Sequence, residues 1–280
     1  MDSGFITSQA RLPELLKTAL NYPAIDNHAH PLLKAPNRAE IPFEGVFSEA
    51  HGEALSDAVH TVAAHRATHD LSELFGLPQG SSWEAVKAVH LNTDYEELCR
   101  QSFRPTGIQC ILIDDGLGAN DIVHNIAWHD QFTSSPSKRV VRIEVEAETI
   151  LQAIFEAIRS NCISLTEGFT KFVTSLTDTL ALRAQEANVA AFKSVVCYRS
   201  GLAISTGPVG SQDIHAPREG AMDTDSLAAF NRLYDAYCRE QATRVRLQDK
   251  PLNDHVVRMA LDVATKYAKP DDAKIDAEDS

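Results

Sequence analysis

No apolar run in this 280-residue chain approaches the roughly 18 residues that a membrane-spanning helix needs, so no membrane partner is expected. Basic residues are scarce relative to acidic ones, 26 Lys and Arg against 39 Asp and Glu. The resulting net charge of −13 argues against nucleic acid and anionic membranes as partners. The segment from Met1 to Lys17 has acidic and polar residues and no apolar stretch ahead of a small-residue cleavage site, so no secretory signal is read and a cytoplasmic location is expected. Cys99, Cys110, Cys162, Cys197 and Cys238 are odd in number, scattered and without a C-x-x-C pair, which disfavours a cysteine zinc site and fits buried thiols in a reducing compartment. There is no G-x-S-x-G, no phosphate-binding loop and no G-x-G-x-x-G, so serine hydrolases of that type and nucleotide cofactors are disfavoured.

What the chain does contain is Ile25-Asp26-Asn27-His28-Ala29-His30-Pro31. Residues two apart on a strand point to one face, so His28 and His30 can aim two imidazoles at one point. Neutral imidazole is a ligand for zinc and related ions, which suggests a metal-dependent enzyme. The pair closes a predicted strand, Ala24 to His28, after a helix over 13–20. Further strands are predicted at Ile108–Ile113, Val140–Val145 and Val189–Tyr198. Helical periods predict single helices over 54–69 and 82–101, a short one over 121–131, and others over 147–160, 169–180, 225–247 and 252–268. Strands alternating with helices predict an α/β fold with a parallel sheet, and the long intervals between strands suit a barrel with insertions. One domain over 1–268 and an acidic, disordered tail over 269–280 are expected.

Other residues invite weighing. Lys193 interrupts an apolar strand, where it either faces a site, bridging metals as a carbamate or binding substrate, or snorkels to solvent. Tyr198 and Arg199 end that strand; the arginine suits a carboxylate or a surface ion pair. Asp114 and Asp115 end the second strand, as partners for a histidine or as helix caps. His65 and His69 have metal-ligand spacing but lack the glutamate of H-E-x-x-H, so they are read with His60 as solvated or ion-paired; His124 and His129 are read as surface residues.

Five segments taken together, the His28–His30 motif, Phe47-Ser-Glu-Ala50, Leu71-Ser-Glu-Leu-Phe75, Ile113-Asp-Asp-Gly116 and Phe192-Lys-Ser-Val-Val-Cys-Tyr-Arg-Ser-Gly-Leu202, resemble the N-terminal amidohydrolase-like domain of the FluG and nodulin/glutamine synthetase-like proteins. The resemblance implies a (β/α)8 TIM barrel of the metal-dependent hydrolase type, His28 and His30 as its first metal ligands, and Lys193 at its fourth strand. A divalent metal, zinc or else manganese or iron, and a small-molecule substrate with a C–N bond are implied; Tyr198 and Arg199, from their place at the strand end, are the candidate substrate-binding residues. Only four βα units are recognisable. The later histidines and the strand-8 aspartate have no counterpart in the remaining residues, where His215 and His255 sit on a loop and a helix. A partial barrel with an incomplete active site, and with it an inactive hydrolase, is therefore an expectation, with an open edge on which two copies could pair. Two alternatives to a C–N hydrolase stay open: a non-catalytic scaffold fragment, and a non-oxidative decarboxylase with the same first-strand pair.

Overall fold

The computed structural model describes residues 12–118, 121–205 and 224–267. It divides into two compact units, Met1–Ile113 with Leu117–Lys138, and Asp114–Gly116 with Arg139–Ser280.

The first unit opens with helix α1 (Pro13–Asn21), whose proline stands where a helical N–H is not needed, and strand β1 (Ala24–Ala29). Turns of 3-10 helix follow at Ala35–Asn37 and Phe43–Val46. The helix predicted over 54–69 is two, α2 (Glu53–Ala58) and α3 (Val62–Leu74). Thr61 causes the break: its backbone is extended and its Oγ1 accepts from the Ala64 N–H at 3.2 Å, capping α3. The helix predicted over 82–101 is likewise α4 (Trp83–Asn92) and α5 (Tyr95–Phe103), because Asp94 caps α5 by accepting from Glu97 N–H at 3.0 Å. Strand β2 (Ile108–Asp114) pairs parallel to β1, with register irregularities after Ala24 and between Asp26 and Ala29. The helix predicted over 121–131 is a 3-10 segment, Ile126–Phe132.

In the second unit strand β3 (Lys138–Arg142) pairs parallel to β4 (Val189–Lys193), with Arg142 opposite Lys193. Both strands end earlier than predicted. Ile143, Ala147, Leu151, Ile154 and Ile158 form one buried helical stripe, so the chain turns directly from β3 into α6 (Ile143–Arg159). Helix α7 (Leu165–Gln185) starts at a capping box in which Ser164 and Glu167 each satisfy the other's backbone N–H. Gly168 lets α7 lie close to α6: a Cβ there would stand 2.7 Å from Ile158 Cδ1. Helices α8 (Thr224–Arg239) and α9 (Lys250–Tyr267) complete the packing; α8 ends well short of the predicted residue 247, and 242–249 runs without helix. Phe155, Phe169, Phe172, Leu176, Leu180, Phe230 and Leu252 fill a core among α6, α7, α8 and α9. Glu148 and Gln152 of α6 hold the segment after α8, accepting from the N–H groups of Leu247 and Val245 at 2.9 Å each.

The thiols depart from expectation. Cys99 is buried and Cys110 half-buried, but Cys162, Cys197 and Cys238 are exposed, and all five are free. Cys197 is exposed because β4 ends at Lys193 and the chain continues into a short turn, Val196–Tyr198. The tail at 269–280 and His215 lie outside the described residues. No helix among the described residues is long and apolar enough to cross a membrane.

Candidate active site at the strand ends

Active groups of parallel α/β folds gather where strands end, because the loops beyond the C-terminal edge are free to vary. In the first unit that edge carries the histidine pair. His28 lies in the irregular last part of β1 and His30 follows Ala29 directly. Their rings are 5.8 Å apart between centroids, edge to face at 74°. Two imidazoles on one tetrahedral ion have centroids about 5 Å apart, so the pair is close to a chelating arrangement. Asp26 accepts from the His28 N–H through Oδ1 at 3.1 Å, which fixes the backbone turning into the motif. Among the described residues no three His, Cys, Asp or Glu side chains converge as a metal cage.

The exit from the motif is held by a residue that the sequence suggests is on the surface. His129 is buried, 1% exposed. Its Nε2 accepts from the Leu32 N–H at 3.0 Å, while Nδ1 lies 3.0 Å from the Asn125 carbonyl oxygen. The ring is therefore neutral with its proton on Nδ1, and burial holds its pKa below the usual histidine range. Around it residues 32–34 and 122–124 run antiparallel, with Lys34 N–H donating to Ile122 and His124 N–H to Leu32. His124 is half-buried, stacked on Trp128 at 3.6 Å, and not a surface residue either.

In the second unit the last residues of three strands meet. Asp114, 2% exposed, accepts from Arg142 Nε at 3.1 Å and Nη2 at 2.6 Å, and lies 3.0 Å from Lys193 Nζ. Its other oxygen accepts from the Gly116 N–H at 2.8 Å. Burial would raise this carboxyl's pKa, but the hydrogen bonds from Arg142, Gly116 and Lys193 outweigh it and hold the pKa below the ordinary carboxylate value. Gly116 is required by close approach: a Cβ would stand 2.9 Å from Arg142 Cβ and 3.0 Å from Asp114 Oδ1. Asp115 faces another way and pairs with Arg139 Nε at 2.9 Å.

Glu144 is 1% exposed in the first turn of α6. Its Oε1 accepts from Ser194 Oγ at 2.5 Å and Val195 N–H at 2.9 Å, which draws the chain off β4 right after Lys193. Its Oε2 has no hydrogen-bond partner. Arg199 is bonded to Glu148 and to the Leu247 carbonyl at 3.0 Å, with a side chain only 10% exposed. Tyr198, one residue before it, is 90% exposed. The structure thus brings Lys193 together with Asp114, and ties Arg199 to α6. Arg142 and Glu144 were missed in the sequence because the run from Val140 reads as one strand; an arginine at the end of an apolar run is the signal that marks the first.

The architecture is that of an α/β protein with a parallel sheet. No family model matches the chain. It is 36% identical over 278 residues to protein fluG of Emericella nidulans, a match that covers 93% of this chain and 30% of that protein's length. Among solved structures it resembles a protein from Lactobacillus casei ATCC 334 provisionally assigned as a metal-dependent hydrolase, with a TM-score of 0.62 and 18% identity, over 91% of this chain and 58% of the other. The likeness to that structure is one of fold.

Proposed function

We propose that this chain is a metal-dependent hydrolase of the amidohydrolase type, acting on a C–N bond of a small carboxylated molecule. The observation that carries the reading is the His28–His30 pair, two imidazoles 5.8 Å apart and edge to face at the end of a parallel strand. The fluG relationship and the hydrolase-like fold of the Lactobacillus casei protein support it. His28 and His30 would hold a divalent ion, zinc by the preference of imidazole donors. Such an ion supplies an activated water and polarises a carbonyl when bound. His129 and Asp26 keep the motif's backbone in place from either side.

In the second unit Arg142 and Lys193 both pair with the Asp114 carboxylate where their strands end, and basic groups of this kind suit a carboxylated small molecule. Within this proposal Lys193 acts as an ammonium, since a carbamate would bring a second negative charge beside Asp114. Tyr198 offers an exposed hydroxyl to substrate, and Arg199 positions it by anchoring the turn to Glu148.

The test is hydrolysis by the full chain, stripped with chelator and reloaded with zinc, manganese or iron(II), on a panel of amides and a panel of aromatic acids. Ammonia or amine release that needs metal and disappears in His28→Ala/His30→Ala is expected. Carbon dioxide release from the acids would replace the hydrolase with a decarboxylase. Absence of either reaction with every metal would leave a non-catalytic scaffold.

A further inference from the structure

The first unit contains a cavity of about 890 Å3 beside α3 and the start of α4, distinct from the His28–His30 motif. His60, His65, His69, Ser72, Glu73 and Glu84 are among its lining residues, and no lysine or arginine lines it. That set offers imidazole and carboxylate donors without a cation to repel a metal, in a chain whose net charge is −13.

Three features make it more than a histidine-rich surface. His65 and His69 are one turn apart on α3, which puts their Cβ atoms about 5–6 Å from each other on one side of the helix. Two imidazoles at this spacing can share one ion. Second, Asp70 Oδ1 lies 3.1 Å from His69 Nδ1. A carboxylate on one ring nitrogen fixes the tautomer and leaves Nε2 as a metal donor, the arrangement that orients histidine ligands in metal sites. Third, Ser72 is 6% exposed, lines the same cavity, and its Oγ has no hydrogen-bond partner. Its hydroxyl is enclosed, one turn on from His69 along α3.

We propose that His65 and His69 form a second metal site, a two-imidazole chelate for a divalent transition ion of the zinc, nickel and copper class. Among the described residues no third protein ligand closes on the pair, so the remaining coordination positions go to water or to a small ligand entering the cavity. Asp70 is a positioning residue for His69. The site is independent of the hydrolase reading.

The experiment uses the chelator-stripped full chain with His28→Ala/His30→Ala, so that the strand motif cannot contribute. Zinc is titrated by calorimetry, and copper(II) is added for electron paramagnetic resonance. One equivalent of zinc and a copper signal split by two nitrogens are expected. Adding His65→Gln/His69→Gln, which keeps volume and helix propensity at exposed positions, should abolish both. Asp70→Asn should weaken zinc binding by about tenfold. No metal bound in the His28→Ala/His30→Ala chain, or binding unchanged by the glutamine pair, would overturn the site. Loss of binding in the wild-type chain only on changing His28 and His30 would overturn it too, while leaving the strand motif standing.

Discussion

The first unit buries eight apolar side chains among the described residues, and the second buries twenty-two. Isolated aromatic clusters and polar pins hold the first: Phe43 stacked on Trp83 and His90, Trp83 donating to Glu44, His129 receiving Leu32. Large apolar faces interlocking along α6, α7, α8 and α9 hold the second. Burial at about 25 cal/mol per Å2 makes the second the more strongly stabilised body. The difference teaches where chemistry can be changed cheaply. The proposed metal ligands His28, His65 and His69 are exposed on the thinly packed unit, whereas Asp114 and Glu144 are charges enclosed by the well-packed one.

Substitutions should separate the two bodies. Phe172, fully buried among α7 and its neighbours, should cost the second unit about 4 kcal/mol when changed to alanine, read by chemical denaturation. Arg142→Ala removes two guanidinium hydrogen bonds from the enclosed Asp114 carboxylate, and should cost about 3 kcal/mol by the same measurement. An Arg142 loss below 0.5 kcal/mol would mean that the strand-end cluster is solvated in solution. In the first unit Asp94→Ala removes a helix cap and should cost about 1 kcal/mol, seen as faster amide exchange in α5. His28→Ala should change stability by less than about 0.5 kcal/mol while weakening metal binding.

Acid should sharpen the contrast. His90, His124 and His129, all in the first unit, have pKa values held below the ordinary histidine value chiefly by burial. A base with a depressed folded pKa takes up protons more readily when unfolded, so stability falls as pH drops through about 6.5 toward the folded values. Asp114 also has a depressed folded pKa, but as an acid its contribution is full above about 4 and fades only as pH falls from there through the folded value. Hydrogen exchange at pH 5 against pH 7.5 should therefore show loosening around residues 122–132 with α6 and α7 unchanged. Equal loosening in both units would remove the assigned role of His129.

Much of this was legible in the sequence for stated reasons. The strands at 24, 108, 140 and 189 stand out because apolar runs closed by polar residues have few other uses. The histidine pair was legible because a two-residue spacing on a strand leaves little choice of direction. Boundaries were lost wherever a single polar side chain ends an element: Thr61 and Asp94 split helices whose apolar period runs through the break. Asp94-Tyr-Glu-Glu97 did carry a cap signal. The Asp114–Arg142–Lys193 cluster was not legible, because ion pairing among the ends of three strands depends on register, which a lone chain does not display. His129 was misread because a histidine's burial is decided by a distant N–H, that of Leu32.

The central claim is that His28 and His30 hold a metal needed for hydrolysis. Zinc titration of the chelator-stripped wild-type chain against His28→Ala/His30→Ala, with amide hydrolysis followed on the same samples, tests it most directly. The account predicts that the variant loses one zinc equivalent and all metal-dependent turnover while keeping its fold. An identical zinc isotherm, or undiminished turnover in the variant, would contradict it.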